Sequence, residues 1–511
     1  MSFTFAGMIR DLACQRGDAP ALAFGDSITT FADLDVRSSR LAGALLAAGL
    51  RAGDRIGFLG KNCPEFFELL SACSKIGAIL AGLNWRLSAQ ELTTIAIDAE
   101  LSAVFVSRDL VDRMRDAMSV RPLVTVELGV DYENLIREVE IPQEWPAIDG
   151  ETVVLQLYSS GTTGVPRGTL ITNANLAFTQ VTASELYGMD ETTVNLVVSP
   201  LFHIGGAGYG MTALSRGGLT VLMPDPTPAA MLEAISTHRV THSFQVPALI
   251  HSLVQAPDVR DADLSSLRLI AYGGAPMNEA LLLEAIQVLG CEFMGVYGMT
   301  ETSGTVVALL PADHDPAGSR SHLLRSIGKP MTWIGEVEIV NSQTGEPVAA
   351  GEVGEIWVRS GQVTPGYWRN PEATVQAISA EGWLHTGDAA YRDDEGFFFL
   401  HDRIKDMIIT GGENVYPAEV ENAMAFHSSI SEVAVIGVPS QKWGETVKAI
   451  VVLKSGSEAS EAELIAFTRD RLAHYKCPTS VDFIQALPRN ASGKVLKKDL
   501  RAPYWAEAHH R

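Results

Sequence analysis

The stretch Tyr158-Ser-Ser-Gly-Thr-Thr-Gly-Val-Pro-Arg-Gly168 decides how the fold of this chain is interpreted. An apolar run, VVLQLYSS, leads into it, which predicts a buried strand, then a loop, then a helix from about Asn173. Open α/β sheets bind ligands at the carboxyl ends of such strands. Successive backbone N–H groups and hydroxyls in the loop favour an anion such as phosphate. The order GxxxxGK[ST] is absent, so this is not the common P-loop.

Upstream of this stretch, strand-like and helical patterns alternate. The runs IGFLG, after Arg55, and LSAVFVS, near residue 104, predict strands. The segment from Pro64 to Gly77 predicts an amphipathic helix, and Ser88-Ala-Gln-Glu91 has the pattern of a capping box at another helix start. Strands separated by helices of this length indicate βαβ units and mainly parallel sheets.

Downstream, the pattern changes twice. CEFMGVYG predicts a second buried strand that ends in a Gly-rich loop, whereas EVEIV, GEIWV and GFFFL predict a small β-subdomain at about residues 330–400. After Arg403, the runs VAVIGV, VKAIVVL and VDFIQAL alternate with helices that start near Pro417 and Glu461. The predicted fold class is therefore α/β, with a large N-terminal domain of stacked α/β sheets (1–402) and a small α+β C-terminal domain (403–511).

The charge distribution limits the classes of partner. The 511 residues carry a net charge of -22, which argues against a nucleic-acid partner because such a surface needs basic excess. Almost all the negative charge precedes Arg403. A basic cluster near the C-terminus fits either a solvated helix face or a cationic patch for an anionic substrate. Its members are Arg489, Lys494, Lys497, Lys498 and Arg501.

Cysteine usage and hydropathy bear on the compartment. Five scattered cysteines without CxxC spacing predict neither a disulfide framework nor a zinc site, and a reducing cytoplasm is expected. No signal-peptide pattern is visible at the N-terminus. Residues 192–215 carry no formal charge, but Pro200, His203 and four glycines favour an irregular buried segment over a transmembrane span.

The Gly-rich stretch resembles the phosphate loop of the adenylate-forming superfamily, which contains acyl-CoA synthetases, luciferases and peptide-synthetase adenylation domains. Seven further motifs of that superfamily recur in order, so the resemblance covers nearly the whole chain. They are Leu201-Phe-His-Ile-Gly-Gly206, Gly273-Gly-Ala-Pro276, Tyr297-Gly-Met-Thr-Glu301, Thr386-Gly-Asp388, Asp402-Arg-Ile-Lys-Asp406, Gly411-Gly-Glu-Asn414 and Pro488-Arg-Asn-Ala-Ser-Gly-Lys494.

The resemblance implies a site for ATP. Thr300 and Glu301 would act near the α-phosphate and Mg²⁺, which suits one carboxylate shared with phosphates. Asp388 would accept bonds from the ribose hydroxyls, and Arg403 would be a second ribose contact. The remaining nucleotide-binding candidates are Ser159, Ser160, Gly161, Thr162, Thr163, Gly164, Gly274, Ala275, Pro276, Tyr297, Gly298 and Met299.

Two cations are implied in catalysis. The Lys494 ammonium would bridge the acyl carboxylate and the α-phosphate, where both reactants are negative. The phosphate loop of the superfamily usually ends Pro-Lys-Gly, but here Arg167 takes the place of the lysine. A guanidinium can still form forked bonds to phosphate oxygens, although it is bulkier and planar.

The resemblance also implies that the C-terminal domain rotates for a second half-reaction with coenzyme A. Lys405 would be the hinge, and rotation would bring Gly411 and Gly412 beside a coenzyme A tunnel. The other coenzyme A candidates are Arg86, Trp443, Tyr475 and Lys476. Cys477 stands where some relatives carry arginine, so one phosphate contact is in doubt.

The acyl pocket sets the substrate class. His203 would be a movable gate, and the other candidates are Ile204, Phe244, Val246, Gly273, Gly295, Met299 and Gly304. No acidic residue lies between Val194 and Gly210 to hold an α-ammonium group, so an aliphatic or aromatic carboxylic acid is predicted rather than an amino acid. The expected function is an ATP-dependent acyl-CoA synthetase. The alternatives are an acyl-AMP ligase, a luciferase-like enzyme or a non-catalytic nucleotide-binding relative. The sequence does not decide the oligomeric state, and a homodimer is one possibility.

Overall fold

The computed structural model describes residues 2–120, 124–137, 139–160, 166–403, 406–410, 413–440, 443–490 and 494–509. The helices are α1 Phe5–Arg16, α2 Phe31–Ala47, α3 Pro64–Ile76, α4 Ala89–Asp98, α5 Val111–Val120, α6 Val130–Arg137, α7 Asn173–Val181, α8 Ile204–Ser215, α9 Pro228–His238, α10 Pro247–Val254, α11 Glu279–Leu289, α12 Pro371–Ala377, α13 Pro417–Ala425, α14 Glu461–Arg469 and α15 Lys497–His509.

The strands of the described residues divide into four sheets. Those up to residue 330 are β1 Pro20–Phe24, β2 Ser27–Thr30, β3 Arg55–Leu59, β4 Ile79–Gly82, β5 Leu101–Val106, β6 Val124–Glu127, β7 Val153–Ser160, β8 Pro166–Thr172, β9 Val194–Val197, β10 Leu219–Leu222, β11 His242–Gln245, β12 Leu269–Gly273, β13 Glu292–Met299, β14 Gly304–Leu309 and β15 Lys329–Pro330. The later strands are β16 Gly335–Val340, β17 Gly354–Ser360, β18 Leu384–Arg392, β19 Phe398–Arg403, β20 Ile408–Thr410, β21 Glu413–Val415, β22 Ile430–Ser440, β23 Gly444–Leu453 and β24 Ser480–Phe483.

The two largest sheets are mainly parallel, as predicted. Their orders are β15-β14-β13-β12-β11-β9-β10-β1-β2 and β6-β5-β3-β4-β7-β8. One hydrophobic core joins them, because Leu22 and Val197 of the nine-stranded sheet belong to the same buried cluster as Ile56 and Leu155 of the six-stranded sheet. The sheets therefore form stacked layers around shared helices.

The two smaller sheets are mostly antiparallel. The four-stranded sheet β16-β17-β18-β19 shares a core with the nine-stranded sheet, since Ile356 and Leu384 pack with Phe244 and Ala271. The five-stranded sheet contains β20 to β24, and its main buried cluster, which includes Ile408 and Val481, is made of residues after 406. The predicted α/β fold class with a small C-terminal α+β part is confirmed.

Helix α3 differs from its prediction. Its residues from Phe66 to Ile76 are all buried, so it is not an amphipathic surface helix. The two buried charged residues of this helix, Glu68 and Lys75, are hydrogen-bonded inside the protein. The Lys75 ammonium donates to Asp35 Oδ1 at 2.7 Å and to Ser38 Oγ at 2.9 Å. Buried charge is tolerated there because its hydrogen bonds are made internally.

The uncharged segment 192–215 is also more regular than expected. It forms β9 and α8 rather than an irregular stretch, and in the described part of the chain no helix is both long and apolar enough to cross a membrane. Glycine is required where α8 touches its neighbours, since a Cβ on Gly206 would lie 2.1 Å from the carbonyl oxygen of Pro200. The Asn62 amide, which donates to Ser199 O at 3.0 Å, holds the chain that leads into α8.

Candidate active site

The carboxyl end of β13 meets β18 at a direct hydrogen bond. The Tyr297 hydroxyl donates to Asp388 Oδ2 at 2.8 Å, although the two residues are 91 positions apart. Asp388 stands opposite Arg403 in the antiparallel register of β18 and β19, while the Arg403 side chain lies outside the described part. Two predicted nucleotide contacts are thus brought together at the junction of two sheets.

A second carboxylate lies just after β13. Glu301 is 6% exposed and accepts a hydrogen bond of 2.9 Å from the Tyr367 hydroxyl. The Arg167 guanidinium lies 5.4 Å from the centroid of the Tyr367 ring. Burial and the adjacent Glu301 raise the pKa of Tyr367, so the phenol stays neutral and donates. Tyr367 therefore links the predicted metal ligand Glu301 to the predicted phosphate contact Arg167.

Tyr367 did not figure in the sequence prediction. The available signal was an aromatic pair after glycine in the segment Pro365-Gly-Tyr-Trp368, which lies between two predicted strands. Its contact with Glu301 spans 66 residues and depends on how two sheets pack, so local spacing does not reveal it.

The phosphate-loop prediction lies only partly within the described residues. Ser159 and Ser160 end β7, where Ser159 pairs with Arg167 and Ser160 with Pro166 across an antiparallel hairpin. The expected passage from loop to helix is wrong, because β8 stands between the loop and α7. The predicted contacts outside the described residues are Gly161, Thr162, Thr163 and Gly164.

The predicted adenine segment follows β12, with close packing that demands glycine. A Cβ on Gly273 would lie 2.3 Å from the Val296 carbonyl oxygen, and one on Gly298 would lie 2.0 Å from that of Gly304. Gly274 has a φ of +75°, which suits glycine, and leads into Ala275 and Pro276. A Cβ on Gly274 would lie 3.6 Å from Val246 Cγ1, so the predicted adenine segment and acyl pocket adjoin.

The turn after β13 positions the catalytic candidates Thr300 and Glu301. It is a short 3₁₀ helix, Thr300–Thr302, and the Met299 N–H donates to Thr302 Oγ1 at 2.9 Å. Ser303 and Gly304 follow with φ of +52° and +146°. This tight reversal returns the chain into β14 and keeps Glu301 beside Tyr367.

His203 begins α8 as its N-cap residue. Its Nε2 atom is buried and has no hydrogen-bond partner among the described residues. Burial, together with the positive charge of Arg86, lowers the pKa of His203 to about 4. The imidazole is therefore neutral at physiological pH. Two residues on, a Cβ on Gly205 would lie 2.9 Å from Phe244 Cε1, so the start of α8 faces Phe244.

The acyl-pocket candidates do not all share one face of the sheet. Phe244 is in register with Ala271, and Ala271 with Met294, so these side chains point to one side. Gly295 is the next residue along β13, and a Cβ on it would lie 3.0 Å from the hydroxyl of Tyr272 on the other side. The structure thus sets Gly295 apart from Phe244, and Ile204 packs against another core cluster, which contains Leu201 and Ala207.

Arg86 is a coenzyme A candidate whose charge acts on His203. Its guanidinium lies 4.6 Å from the centroid of the Trp85 ring, and its charge contributes to the lowered pKa of His203. The Lys61 ammonium lies 5.6 Å from the same ring. The Lys61 ammonium donates to both carboxylate oxygens of Asp225, at 2.6 and 2.8 Å, so a phosphate would have to compete with this ion pair.

The remaining coenzyme A candidates belong to the C-terminal part. Trp443 and Tyr475 are 48% and 46% exposed. The Lys476 ammonium donates to both carboxylate oxygens of Glu419, at 2.7 and 2.9 Å, so a phosphate would have to compete with this ion pair. Gly411, Gly412 and the predicted hinge Lys405 lie outside the described residues.

Lys494 lies on a turn closed by Asn490. The Lys494 N–H donates to Asn490 Oδ1 at 2.8 Å, and the Asn490 N–H donates to the Lys494 carbonyl at 2.8 Å. Three other members of the basic cluster are paired with carboxylates: Arg489 with Glu432, Lys497 with Glu421, and Arg501 with Asp406. The charges of these three residues are therefore compensated by neighbouring carboxylates.

The donor set fits a magnesium ion that is shared with phosphates. Among the described residues, no group of three or more His, Cys, Asp or Glu side chains could hold a metal by itself. Glu301 is a single buried carboxylate, and Tyr367, which donates to it, also contacts the arginine predicted to bind phosphate. Mg²⁺ is commonly held by one or two carboxylates together with substrate phosphates and water.

Two family models match the chain. Residues 9–368 match the model described as AMP-binding enzyme, and residues 419–494 match the model of the AMP-binding enzyme C-terminal domain. The chain belongs to the AMP-binding enzyme family. Within it, this AMP-binding enzyme is 38% identical over 486 residues to the feruloyl-CoA synthase of an Amycolatopsis species, covering 94% of this chain and 95% of that protein.

Other members extend the likeness. The fatty acid–[acyl-carrier-protein] ligase ScoC of Streptomyces coeruleorubidus is 35% identical over 496 residues, covering 96% of this chain and 94% of that protein. The crystal structure of the anthranilate CoA ligase AuaEII with anthranoyl-AMP matches with a TM-score of 0.92 and 26% identity, over 99% of this chain and 98% of that one. This AMP-binding enzyme is an ATP-dependent acyl-CoA synthetase of the adenylate-forming superfamily.

Proposed function

We propose that the junction of β13, β18 and the β7–β8 hairpin is where a carboxylic acid is joined to AMP. The observation that carries this proposal is the pair of phenol–carboxylate bonds, Tyr297 to Asp388 and Tyr367 to Glu301. They hold one carboxylate within β18 and the other directly after β13. One is suited to ribose hydroxyls and the other to a cation on the phosphates.

In the first half-reaction, a carboxylate oxygen of the acid attacks the α-phosphorus of ATP. The bond between the α-phosphorus and the bridging oxygen to the β-phosphate breaks, and pyrophosphate leaves with that oxygen. Both reactants are anions, so positioned cations supply most of the catalysis. Arg167 would bind the departing phosphates, Lys494 would bridge the carboxylate and the α-phosphate, and Thr300 would bond an α-phosphate oxygen. Bound Mg²⁺ at Glu301 would neutralise phosphate charge.

In the second half-reaction, the sulfur of coenzyme A attacks the acyl carbonyl carbon. AMP leaves, and the thiol proton passes to solvent. Residues 403–511 would form a mobile domain that rotates about Lys405, taking Lys494 away and bringing Gly411 and Gly412 beside the pantetheine arm. The five-stranded sheet with its own buried cluster supports a separately folded unit. Arg86 and Trp443 would contact the nucleotide of coenzyme A.

The acid would be aliphatic or aromatic and without an amino group near the carboxylate. The segment from Val194 to Gly210 has no acidic residue, and its neighbour Phe244 is apolar. The relatives named above act on ferulic acid, on fatty acids and on anthranilate, as their names state. They differ in the acid and in the acceptor, which their names give as coenzyme A in one case and an acyl-carrier protein in another.

The compartment and oligomeric state are further parts of the proposal. The five cysteines are unpaired, and burial raises the pKa of the Cys63 and Cys73 thiols, which fits a reducing cytoplasm. A homodimer remains a prediction that sedimentation of the purified chain would test.

The test is to incubate the purified protein with ATP, Mg²⁺ and a panel of aliphatic and aromatic acids, with and without coenzyme A. Pyrophosphate, AMP and thioester are then measured. We expect pyrophosphate release with the preferred acid and thioester only when coenzyme A is present. Adenylate that accumulates with coenzyme A present would indicate a different acceptor. Nucleotide binding without pyrophosphate release from any acid would contradict the proposal.

A further inference from the structure

Strand β18 leaves the regular ladder where it contains the ribose candidate Asp388. Before the interruption Glu355 of β17 pairs with Ala389, and two residues further along β17 the partner is already His385. Three residues of β18, 386–388, therefore stand opposite one residue of β17. Such a β-bulge re-aims side chains and is frequent beside active sites. The orientation of Asp388, whose carboxylate reaches the nine-stranded sheet, depends on this bulge.

In the bulge, side chains make the bonds that the ladder does not supply. Gly387, at its centre, has a φ of +73°, and its N–H donates to Glu355 Oε1 at 2.8 Å. Thr386 Oγ1 donates to the Ile356 carbonyl at 2.7 Å and accepts from the Asp388 N–H at 3.2 Å. One carboxylate and one hydroxyl thus fix the turn that presents Asp388.

The Glu355 carboxylate is itself held at its second oxygen. The residue is 8% exposed, and its Oε2 atom accepts a hydrogen bond of 3.0 Å from Trp357 Nε1. The Trp357 ring stacks on His385, with centroids 4.1 Å apart and an angle of 17° between the planes. An indole N–H and a backbone N–H can only donate, so both carboxylate oxygens have to accept. A glutamine of the same shape would offer an acceptor on one side only.

Another carboxylate of the same sheet, Glu336, is used differently. Its side chain is 57% exposed, and both of its oxygens accept from the Arg359 guanidinium at 2.7 Å. Exposed ion pairs of this kind contribute little to stability. Glu355 differs because it is buried, accepts from two neutral N–H groups, and holds the turn that contains Asp388.

We propose that Glu355 is a positioning residue for ATP, which sets the orientation of Asp388 through the Gly387 N–H. This inference rests on the proposed function, in which Asp388 accepts hydrogen bonds from the ribose hydroxyls. The contacts run from the Trp357 indole to the Glu355 carboxylate, and from there to the turn. A carboxylate that is aligned before the nucleotide arrives binds it at a lower cost in conformational freedom.

The experiment compares ATP with 2′,3′-dideoxyATP in pyrophosphate release by the wild type and by Glu355→Gln, with the preferred acid at saturation. The dideoxy nucleotide lacks the hydroxyls that Asp388 would bind, so the wild-type kcat/KM should favour ATP by at least about tenfold. In Glu355→Gln one N–H donor faces an amide NH₂ group. The KM for ATP should then rise about tenfold at a nearly unchanged kcat, and the preference for ATP should be largely lost.

Removal of the indole donor provides a rescue. Trp357→Phe keeps a ring beside His385 but lacks the N–H that donates to Glu355 Oε2. In the double variant Glu355→Gln/Trp357→Phe, the amide can turn its NH₂ group toward the lost donor and its oxygen toward Gly387. The KM for ATP and the ATP preference should therefore return to within about threefold of those of Trp357→Phe alone. A general loss of packing would instead be worse in the double variant.

Glu336→Gln is the matched control, because it makes the same change at an exposed carboxylate of the same sheet, and it should behave like the wild type. Trp357→Phe by itself loosens Glu355 and should lower the ATP preference by about threefold. It replaces Glu355→Gln in the test if that variant does not fold, and an unchanged preference in it would then overturn the proposal.

Three further results would overturn the positioning role. They are equal use of the two nucleotides by the wild type, an equal loss of kcat/KM with both nucleotides in Glu355→Gln, and no recovery in a folded double variant. All three leave the proposed function intact, since pyrophosphate is still released from ATP. Failure of the wild type to release pyrophosphate with any acid would contradict that function instead.

Discussion

The nucleotide side of the molecule and the part after Asp406 connect their polar side chains in different ways. On the first side, Tyr297 and Asp388 belong to different sheets, and one hydrogen bond ties the sheets together. In the second part, Lys497 pairs with Glu421 of the same part. Trp443 is about half exposed. Cations that are compensated within one unit let it change position without leaving buried charges unpaired.

The comparison indicates that the nucleotide side supplies fixed contacts and that the C-terminal part supplies residues that act one after the other. The carboxylates proposed to hold ribose and metal are oriented before any ligand binds, since phenols donate to them from fixed strands and turns. The residues proposed to act in turn, Lys494 for the first step and Trp443 for the second, are on the other unit. A chain that uses one nucleotide site for two reactions needs one constant set of contacts and one exchangeable set.

The largest effect is expected at the exchangeable set. Lys494→Ala should slow pyrophosphate release by at least about 10²-fold, because one oriented cation between two anions is lost. The matched control is Lys498→Ala, which removes an exposed lysine of the same basic cluster and should leave the rate unchanged. Near-normal release in Lys494→Ala would break the comparison, since the C-terminal part would then contribute no charge to adenylation.

The next largest effect is the pH dependence of the free energy of unfolding that buried His203 causes. The pKa of His203 is lowered to about 4 by burial and by Arg86, so the unfolded chain takes up more protons than the folded chain between about pH 6.5 and 4. The free energy of unfolding should therefore fall by roughly 2 kcal/mol between pH 7 and 5 on account of this residue.

Urea unfolding of the wild type and of His203→Phe at both pH values measures this effect. The variant should lose less stability on acidification, and the exposed His322→Phe should behave like the wild type. An identical pH dependence in His203→Phe and wild type would show that the imidazole is not held neutral by burial.

The smallest effect is expected among the constant contacts, at the hydrogen bond from Tyr367 to Glu301. Tyr367→Phe removes the donor to Glu301 and should lower kcat/KM for adenylate formation up to about tenfold, with a higher Mg²⁺ concentration needed for half-maximal rate. Tyr504→Phe removes a comparable phenol–carboxylate bond to Asp482 in the C-terminal part and should leave the Mg²⁺ dependence unaltered. An unchanged Mg²⁺ requirement in Tyr367→Phe would mean that Tyr367 does not position the metal ligand.

Short-range sequence signals predicted helices and strands well where tertiary contacts favour the same local structure. The capping box at Ser88 and Glu91 is present, with the Ser88 N–H donating to Glu91 Oε2 at 2.8 Å, and helices start at Pro417 and Glu461 as expected. VDFIQAL is only partly a strand, since β24 ends at Phe483. Capping bonds and apolar periodicity act over a few residues, so they are readable from the chain alone.

The misses have a common cause in packing. The four glycines in α8 favoured an irregular buried segment over a transmembrane span, but the segment is a helix and close contacts require the glycines: a Cβ on Gly210 would lie 2.8 Å from Phe67 Cζ. The amphipathic prediction for α3 failed because the helix is buried on every side and its charged side chains are hydrogen-bonded inside the protein. Helix propensity is a weak preference that tertiary contacts override.

By itself, the sequence determined the order of the motifs, the α/β class and the family to which the chain belongs, because these depend on residue types and on short-range periodicity. Only the tertiary structure decided that Tyr367 meets Glu301, that Tyr297 meets Asp388, and that the hydroxyl of Tyr209 has no hydrogen-bond partner among the described residues. These contacts, or their absence, arise where strands and helices distant in the chain pack together, and no local pattern specifies which side chains will face each other there.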